Sequence, residues 1–176
     1  MMPQRQVDPT HVSVLFLCTG NAARSVLAGA ALRSMRPDVE VATAGTLSVD
    51  GLPMSWRMRA ALDAVGLAWP RHASTQATQA HLDDADLVIG MAPEHVAWVR
   101  RNHPDMSHRT ATLTHLAGAL APAGPPIADR VEALCLADHQ LGPDEEIVDP
   151  GGGDVDAFIA CAHDVVDLVK RLAARL

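Results

Sequence analysis

Tyrosine is absent from the chain, and only two phenylalanines and three tryptophans stand among its 176 residues. The core therefore has to be aliphatic. A hydrophobic content of 48%, rich in alanine and valine, supplies it and excludes a chain disordered throughout. Runs of lysine or arginine are also missing, and the formal charge is -7. Nucleic acid and an anionic membrane surface are thereby excluded as the main partner. No apolar run reaches the roughly 20 residues of a membrane-spanning helix. The polar start MMPQRQVDPT is not a signal peptide and reads as a flexible arm over residues 1–10. Cysteine is scarce. Cys18, Cys135 and Cys161 are odd in number and far apart, which excludes a disulfide framework and fits a reducing cytoplasm. Internal repeats and low-complexity tracts are absent, as are the nucleotide-binding patterns GxxxxGK[ST] and GxGxxG.

What is present is alternation. The apolar, partly β-branched run Val12–Leu17 reads as a buried strand, and Arg24–Met35 as a helix stopped by Pro37. A strand at Val39–Ala44, a helix at Ser55–Val65 and a strand at Asp86–Met91 follow. Next come a helix at Pro93–Asn102, a strand at Thr110–Leu113 and a short helix at Thr114–Leu120. Strand–helix alternation predicts an α/β fold of one domain over residues 11–176, with four parallel strands and helices on both faces. Residues 121–146 break the rhythm and read as an insertion around a helix at Ile127–Ala137. The last helix follows GGG, with Asp154 as its cap. Its apolar stripe runs through Val155, Phe158, Ala162, Val165, Val169, Leu172 and Leu176.

Between the first strand and the first helix lies FLCTGNAARSV, residues 16–26. Such a loop sits at the carboxyl edge of the sheet, where ligands of open α/β sheets bind. Its N–H groups and the helix N-terminus attract anions and favour the thiolate of Cys18. Gly20 permits a positive φ and Asn21 tolerates one, so Thr19, Gly20, Asn21, Ala22 and Ala23 can curl their amides around one anion. Arg24 adds a planar fork for two phosphate oxygens, and Ser25 a donor to the sulfur. The stretch holds a nucleophile, an anion cradle and a charge clamp, set against the alternative of a buried structural cysteine. A second candidate is Asp149 in EIVDPGGGD. A carboxyl group there can protonate a leaving group, or the segment can be only the turn that opens the last helix.

VLFLCTGNAARSVLAGA closely resembles the phosphate-binding loop of low-molecular-weight protein tyrosine phosphatases, a superfamily that also contains arginine phosphatases and certain arsenate reductases. VATAGT is similar to that family's second strand, ADLVIGMAPEHV to its third strand and following helix, and IVDPGGG to its late Asp-Pro motif. The resemblance spans nearly the whole chain, excepting the arm and the insertion. It implies a cysteine-dependent phosphatase without cofactor or metal, acting on phosphorylated protein through two in-line displacements. By the same resemblance Cys18 attacks phosphorus, and Arg24 and the loop amides hold the oxygens. Ser25 then assists the thiolate, and Asp149 serves as acid and then base. Asn21 fixes the loop, with Thr43 and His72 as its partners.

Several positions depart from the family pattern. Ala23 stands where most relatives carry a second cysteine, so oxidation of Cys18 is expected to be less reversible here. Ala22 replaces the bulky apolar residue of tyrosine phosphatases and the threonine of arginine phosphatases. Gly151 and Gly152 follow the Asp-Pro where aromatic walls often stand, and Leu47 and Ser48 lie where another aromatic is common. Trp56 is expected in the core or on the surface, with a place at the pocket wall as the alternative, and the insertion is the other candidate wall. His103, His108 and His115 match no zinc spacing and read as surface or capping residues. Asp83, Asp84 and Asp86 read as a solvated turn. Two other functions fit the motifs: arsenate reduction on the same loop, and a non-catalytic module that binds phosphate-bearing partners.

Overall fold

Six consecutive buried residues, Ser13–Cys18, form the central strand β1 of the computed structural model, which describes residues 11–176. The arm expected over residues 1–10 lies outside the described residues. Strand β2 (Glu40–Gly45) flanks β1 on one side. Strands β3 (Leu87–Gly90) and β4 (Thr110–Thr112) follow on the other, giving the parallel order β2-β1-β3-β4. The chain leaves β1 toward one side of the sheet and later returns to pair on the other. The loop after β1 therefore sits at a topological switch point, where the crevice of an open α/β sheet forms.

Side chains alternate across a strand, and β1 shows the consequence. Val14, Phe16 and Cys18 enter one core cluster, while Leu15 and Leu17 enter a second. The first, larger cluster is covered by α1 (Arg24–Met35), α2 (Trp56–Ala64), α5 (Leu113–Ala119) and α7 (Val155–Ala173). The second is covered by α3 (Gln79–Asp83) and α4 (Pro93–Asn102). Cys18 therefore faces the α1 and α7 side. The stripe expected on the last helix packs inward from its second turn: Val155 is only partly buried, Phe158, Ala162, Val165, Val169 and Leu172 are buried, Leu176 is buried just beyond the helix end, and Asp154 caps the helix through the Ala157 N–H at 3.0 Å.

The α/β fold with four parallel strands is as expected, with several local differences. Cys18 is the last residue of β1 and pairs with Gly45, so the nucleophile candidate is fixed by the sheet rather than carried on the loop. Helix α3 and the 3-10 turns at Pro104–Arg109 and Pro143–Glu145 were not expected; they are too short to show a helical period. Asp86 is no merely solvated turn residue. Its carboxylate accepts from the Ser13 N–H and Ser13 hydroxyl, both at 2.8 Å, and ties the start of β1 to that of β3.

The insertion helix expected at Ile127–Ala137 ends at Glu132 as α6 (Ile127–Glu132), and the chain then turns through Cys135 at φ 48°. Buried Arg130 pins it by donating to the carbonyls of Ala121, Pro125 and Arg175. Helix α6 lies near the 3-10 turn that leads into β4, and with Asp86, His108 and Arg109 it lines a cleft of about 630 Å³. Those residues precede β3 and β4, so α6 covers the amino edge of the sheet and cannot wall a site at the carboxyl edge. Among the described residues no helix is long and apolar enough to cross a membrane, and Cys18, Cys135 and Cys161 are all free.

Candidate active site

The loop from Thr19 to Ala23 belongs to neither a strand nor a helix. Among the described residues, its N–H groups donate to no protein acceptor. Asn21 adopts φ 50°. A left-handed residue beside ordinary ones turns successive amides toward a common concavity, which is how backbone binds an anion. Gly20, expected to share this conformation, does not have a positive φ.

Asn21 is fully buried and holds the loop by three bonds. Its Oδ1 accepts from the Thr75 N–H at 2.9 Å, its Nδ2 donates to Ser25 Oγ at 3.0 Å, and its carbonyl accepts from His72 Nε2 at 2.8 Å. Burial holds His72 below its ordinary pKa, against the opposing effect of this hydrogen bond. The neutral ring with its proton on Nε2 meets the need. Thr43, expected beside Asn21, is elsewhere. Its methyl lies against Gly29 of α1, where an added Cβ would come within 2.7 Å, and the Thr75 amide takes the place assigned to it.

Ser25 Oγ lies 3.0 Å from Cys18 Sγ. An amide nitrogen can only donate, so Ser25 accepts from Asn21 and its own proton is free to point at the sulfur. Cys18 is only 3% exposed and lies at the base of the loop.

Arg24 is buried, 2% exposed, and donates from Nη1 to the Ile147 carbonyl at 3.1 Å and from Nη2 to Asp149 Oδ2 at 2.7 Å. Asp149, half exposed, also accepts from the Gly151 N–H at 2.9 Å. Residues 125 positions apart thus meet at one edge. The Ile147 N–H donates to the Met91 carbonyl at 3.0 Å, which moors the acid segment to the end of β3.

Two contributors were not expected. Gly45 ends β2 where a Cβ would stand 2.5 Å from the Thr19 carbonyl oxygen, 2.8 Å from Ser48 Cβ and 3.0 Å from the Asn21 nitrogen. Only glycine admits the loop at this distance. His95, fully buried in the first turn of α4, brings Nε2 to 3.1 Å from Thr19 Oγ1. Burial first, then the Arg24 charge, pushes its pKa down to about 4. Glu94 Oε1 lies 3.4 Å from the same nitrogen, but a neutral ring makes this no ion pair. Its Nδ1 has no hydrogen-bond partner. The least costly arrangement has Nε2–H donating to Thr19, Thr19 donating to Glu94, and Nδ1 as a bare acceptor. The signal in sequence was the position: His95 follows a strand end by five residues and Pro93 by two.

The rim is aliphatic. Leu47 donates its N–H to the Thr19 carbonyl at 3.0 Å and is 78% exposed; Val148, beside Asp149, is 74% exposed. Ser48 Oγ donates to the Gly20 carbonyl at 3.0 Å, Ala22 is exposed, and Ala23 is buried. Trp56 lies on the surface, with Arg57 over its ring.

A Gly45→Ala variant is expected to displace the loop by a fraction of an ångström to an ångström. Such a shift lowers kcat/KM on an aryl phosphate by about 10²-fold while the circular dichroism spectrum stays unchanged. His95 gives a pH signature. Its folded pKa lies below the ordinary value of about 6.5, so between about 6.5 and 4 the unfolded chain binds more protons and stability falls as pH falls. His95→Asn is expected to flatten that limb in urea denaturation series; an unaltered slope would assign the acid sensitivity to other groups.

Comparison with known proteins agrees with this geometry. Residues 13–129 match the family model of low molecular weight phosphotyrosine protein phosphatase. A protein-arginine-phosphatase of Geobacillus stearothermophilus is 29% identical over 164 residues, covering 93% of this chain and 95% of the relative. The low molecular weight protein-tyrosine-phosphatase Etp of Escherichia coli K12 is 33% identical over 101 residues, 56% of this chain and 66% of Etp. The solved structure of the YwlE arginine phosphatase from Geobacillus stearothermophilus superposes with a TM-score of 0.75 at 28% identity, covering 92% of this chain and 90% of that one. A four-stranded parallel sheet, a phosphate-loop sequence at its switch point and a family match over most of the chain lead to one assignment: the chain belongs to the low molecular weight phosphotyrosine protein phosphatase family.

Proposed function

We propose that Cys18, Arg24 and Asp149 carry the reaction of this cysteine-dependent phosphatase, and that its substrate is phosphorylated protein, bearing phosphotyrosine or phosphoarginine. The observation that carries the assignment is the chain of donors from Asn21 Nδ2 to Ser25 Oγ to Cys18 Sγ, each step 3.0 Å. It directs a proton at the sulfur and stabilises negative charge there. No cofactor is required by these roles.

The phosphate enters the concavity of residues 19–23, whose amides and the α1 N-terminus meet its oxygens. Its negative charge competes with Asp149 for the Arg24 guanidinium. As Arg24 turns to the phosphate, Asp149 is released from its 2.7 Å pair and is free to face the leaving atom. Cys18 Sγ then attacks phosphorus, the bond to the leaving atom breaks, and Asp149 delivers its proton to that atom. In the second displacement Asp149 takes a proton from water as the water oxygen attacks the cysteinyl phosphate. Inorganic phosphate leaves and the thiolate is restored. The exposed aliphatic side chains of Leu47 and Val148 take the place of aromatic walls around the substrate side chain.

Arsenate reduction needs a second thiol, from the chain or from a small molecule, that attacks the sulfur of the Cys18–arsenate adduct, so that a disulfide forms as arsenic is reduced. Cys161 lies in the same core cluster as Cys18, but burial pushes its thiol up to about 12, which leaves almost no thiolate. Cys135 lines the cleft at the opposite edge of the sheet. Neither supplies the second thiol. A purely phosphate-binding module would need no acid moored opposite the loop.

Cys18→Ser is expected to abolish phosphate release from both an aryl phosphate and a phosphoarginine peptide. Asp149→Asn should lower the rate by about 10²–10⁴-fold on substrates with poor leaving groups and by far less on activated aryl phosphates. Equal losses on both would remove Asp149 from the role of acid. Peroxide followed by excess thiol tests the cysteine arrangement. Activity should return only in small part, since the buried Cys161 thiol, pushed up to about 12, is a poor trap for the first oxidation product; full recovery would contradict it.

A further inference from the structure

We propose that His115, His139 and Glu145 form a binding site for a divalent transition-metal ion of the zinc type, using none of the phosphate-loop residues. One ligand atom of each lies within 4.8 Å of the others. The three come from different segments: His115 from α5, His139 from the turns after α6, and Glu145 from the last 3-10 turn. The imidazoles of His115 and His139 are stacked, with centroids 3.8 Å apart and planes at 28°. His139 Nε2 lies 2.8 Å from Glu145 Oε1. Sequence spacing showed no metal motif because two of the three ligands lie in the insertion, 24 and 30 residues beyond the first.

The donor set is two imidazole nitrogens and one carboxylate oxygen. Borderline ions such as zinc take that set with three protein ligands and water in the fourth place, whereas calcium and magnesium prefer oxygen alone. The carboxylate is oriented before any ion arrives. Its Oε2 accepts from the Thr112 hydroxyl at 2.5 Å, and its Oε1 accepts from the Gly142 N–H at 3.0 Å. Outer contacts of this kind position metal ligands. The Arg100 guanidinium donates to the His139 carbonyl at 2.9 Å and holds that turn against α4. A path for the ion exists: His115, His139, Gln140, Asp144 and Glu145 line one cleft of about 560 Å³. Zinc bonds of about 2.0–2.1 Å place ligand atoms roughly 3.3 Å apart. Binding therefore draws the partly exposed imidazoles inward by rotation about their side-chain bonds and replaces the His139–Glu145 hydrogen bond.

The location gives the site a consequence. Glu145 is anchored on Thr112 at the end of β4, and two residues later Ile147 holds Arg24 and Met91. An ion there fixes the stretch of chain that leads to Asp149.

The test uses the full chain carrying Cys18→Ser, so that the phosphate-loop sulfur cannot bind the probe. Titration with Co²⁺ is expected to reach one ion per chain, with visible absorption bands of a four- or five-coordinate nitrogen and oxygen site and no sulfur-to-cobalt charge-transfer band. Zn²⁺ should displace the Co²⁺ and raise the thermal midpoint. His115→Ala and Glu145→Gln should each weaken binding by at least about tenfold, and His115→Gln provides a second variant if alanine disturbs the fold. Absence of saturable Co²⁺ binding, a sulfur-to-cobalt band, or unchanged affinity in folded His115 variants would overturn the proposal. Because the readout is spectroscopic in a variant without the Cys18 thiol, its failure leaves the phosphatase assignment intact.

Discussion

A single buried asparagine holds the catalytic loop in shape. Asn21 takes a left-handed conformation that costs roughly 1 kcal/mol or more for a residue with a side chain, and its three hydrogen bonds to Thr75, Ser25 and His72 offset that cost. Each bond does a second task. The one to Ser25 frees a hydroxyl proton for Cys18, the one to Thr75 joins the loop to the segment beyond β2, and the one to His72 occupies the loop carbonyl that would otherwise repel an anion. Loop shape and sulfur environment are thus set by the same side chain.

Asp149 reaches the loop by a different route. Met91, at the end of β3, accepts from Ile147; Ile147 in turn accepts from Arg24, and Arg24 pairs with Asp149. The buried guanidinium and the half-exposed carboxylate satisfy one another, so the Arg24 charge is not left alone. In the proposed reaction a phosphate dianion replaces the carboxylate as the partner of Arg24. On that reading substrate binding and the release of Asp149 are one exchange of partners.

The insertion is divided between the two edges of the sheet. Its helix α6, pinned by Arg130, closes over the amino edge far from the chemistry. Its return passes His139 and Glu145 and rejoins the sheet at Thr112 and Met91, on the edge where catalysis occurs. The same segment that lengthens the chain therefore supplies the last moorings before Asp149.

The amino-acid sequence by itself determined the strand–helix alternation, the parallel sheet, the placement of Cys18 where the first strand meets the loop before α1 and the apolar stripe of α7, because these depend on local periodicity and on residues adjacent in the chain. Cys18, Arg24 and Ser25 were legible for the same reason: they flank one short loop, within eight residues of the chain. Only the tertiary structure decided that Thr75 rather than Thr43 partners Asn21, that Gly45 and His95 complete the site, that α6 faces away from it, and that His115 meets His139 and Glu145. Each of these rests on segments brought together by the packing of the sheet and its covering helices, and a contact between distant segments leaves no periodic signal in either of them.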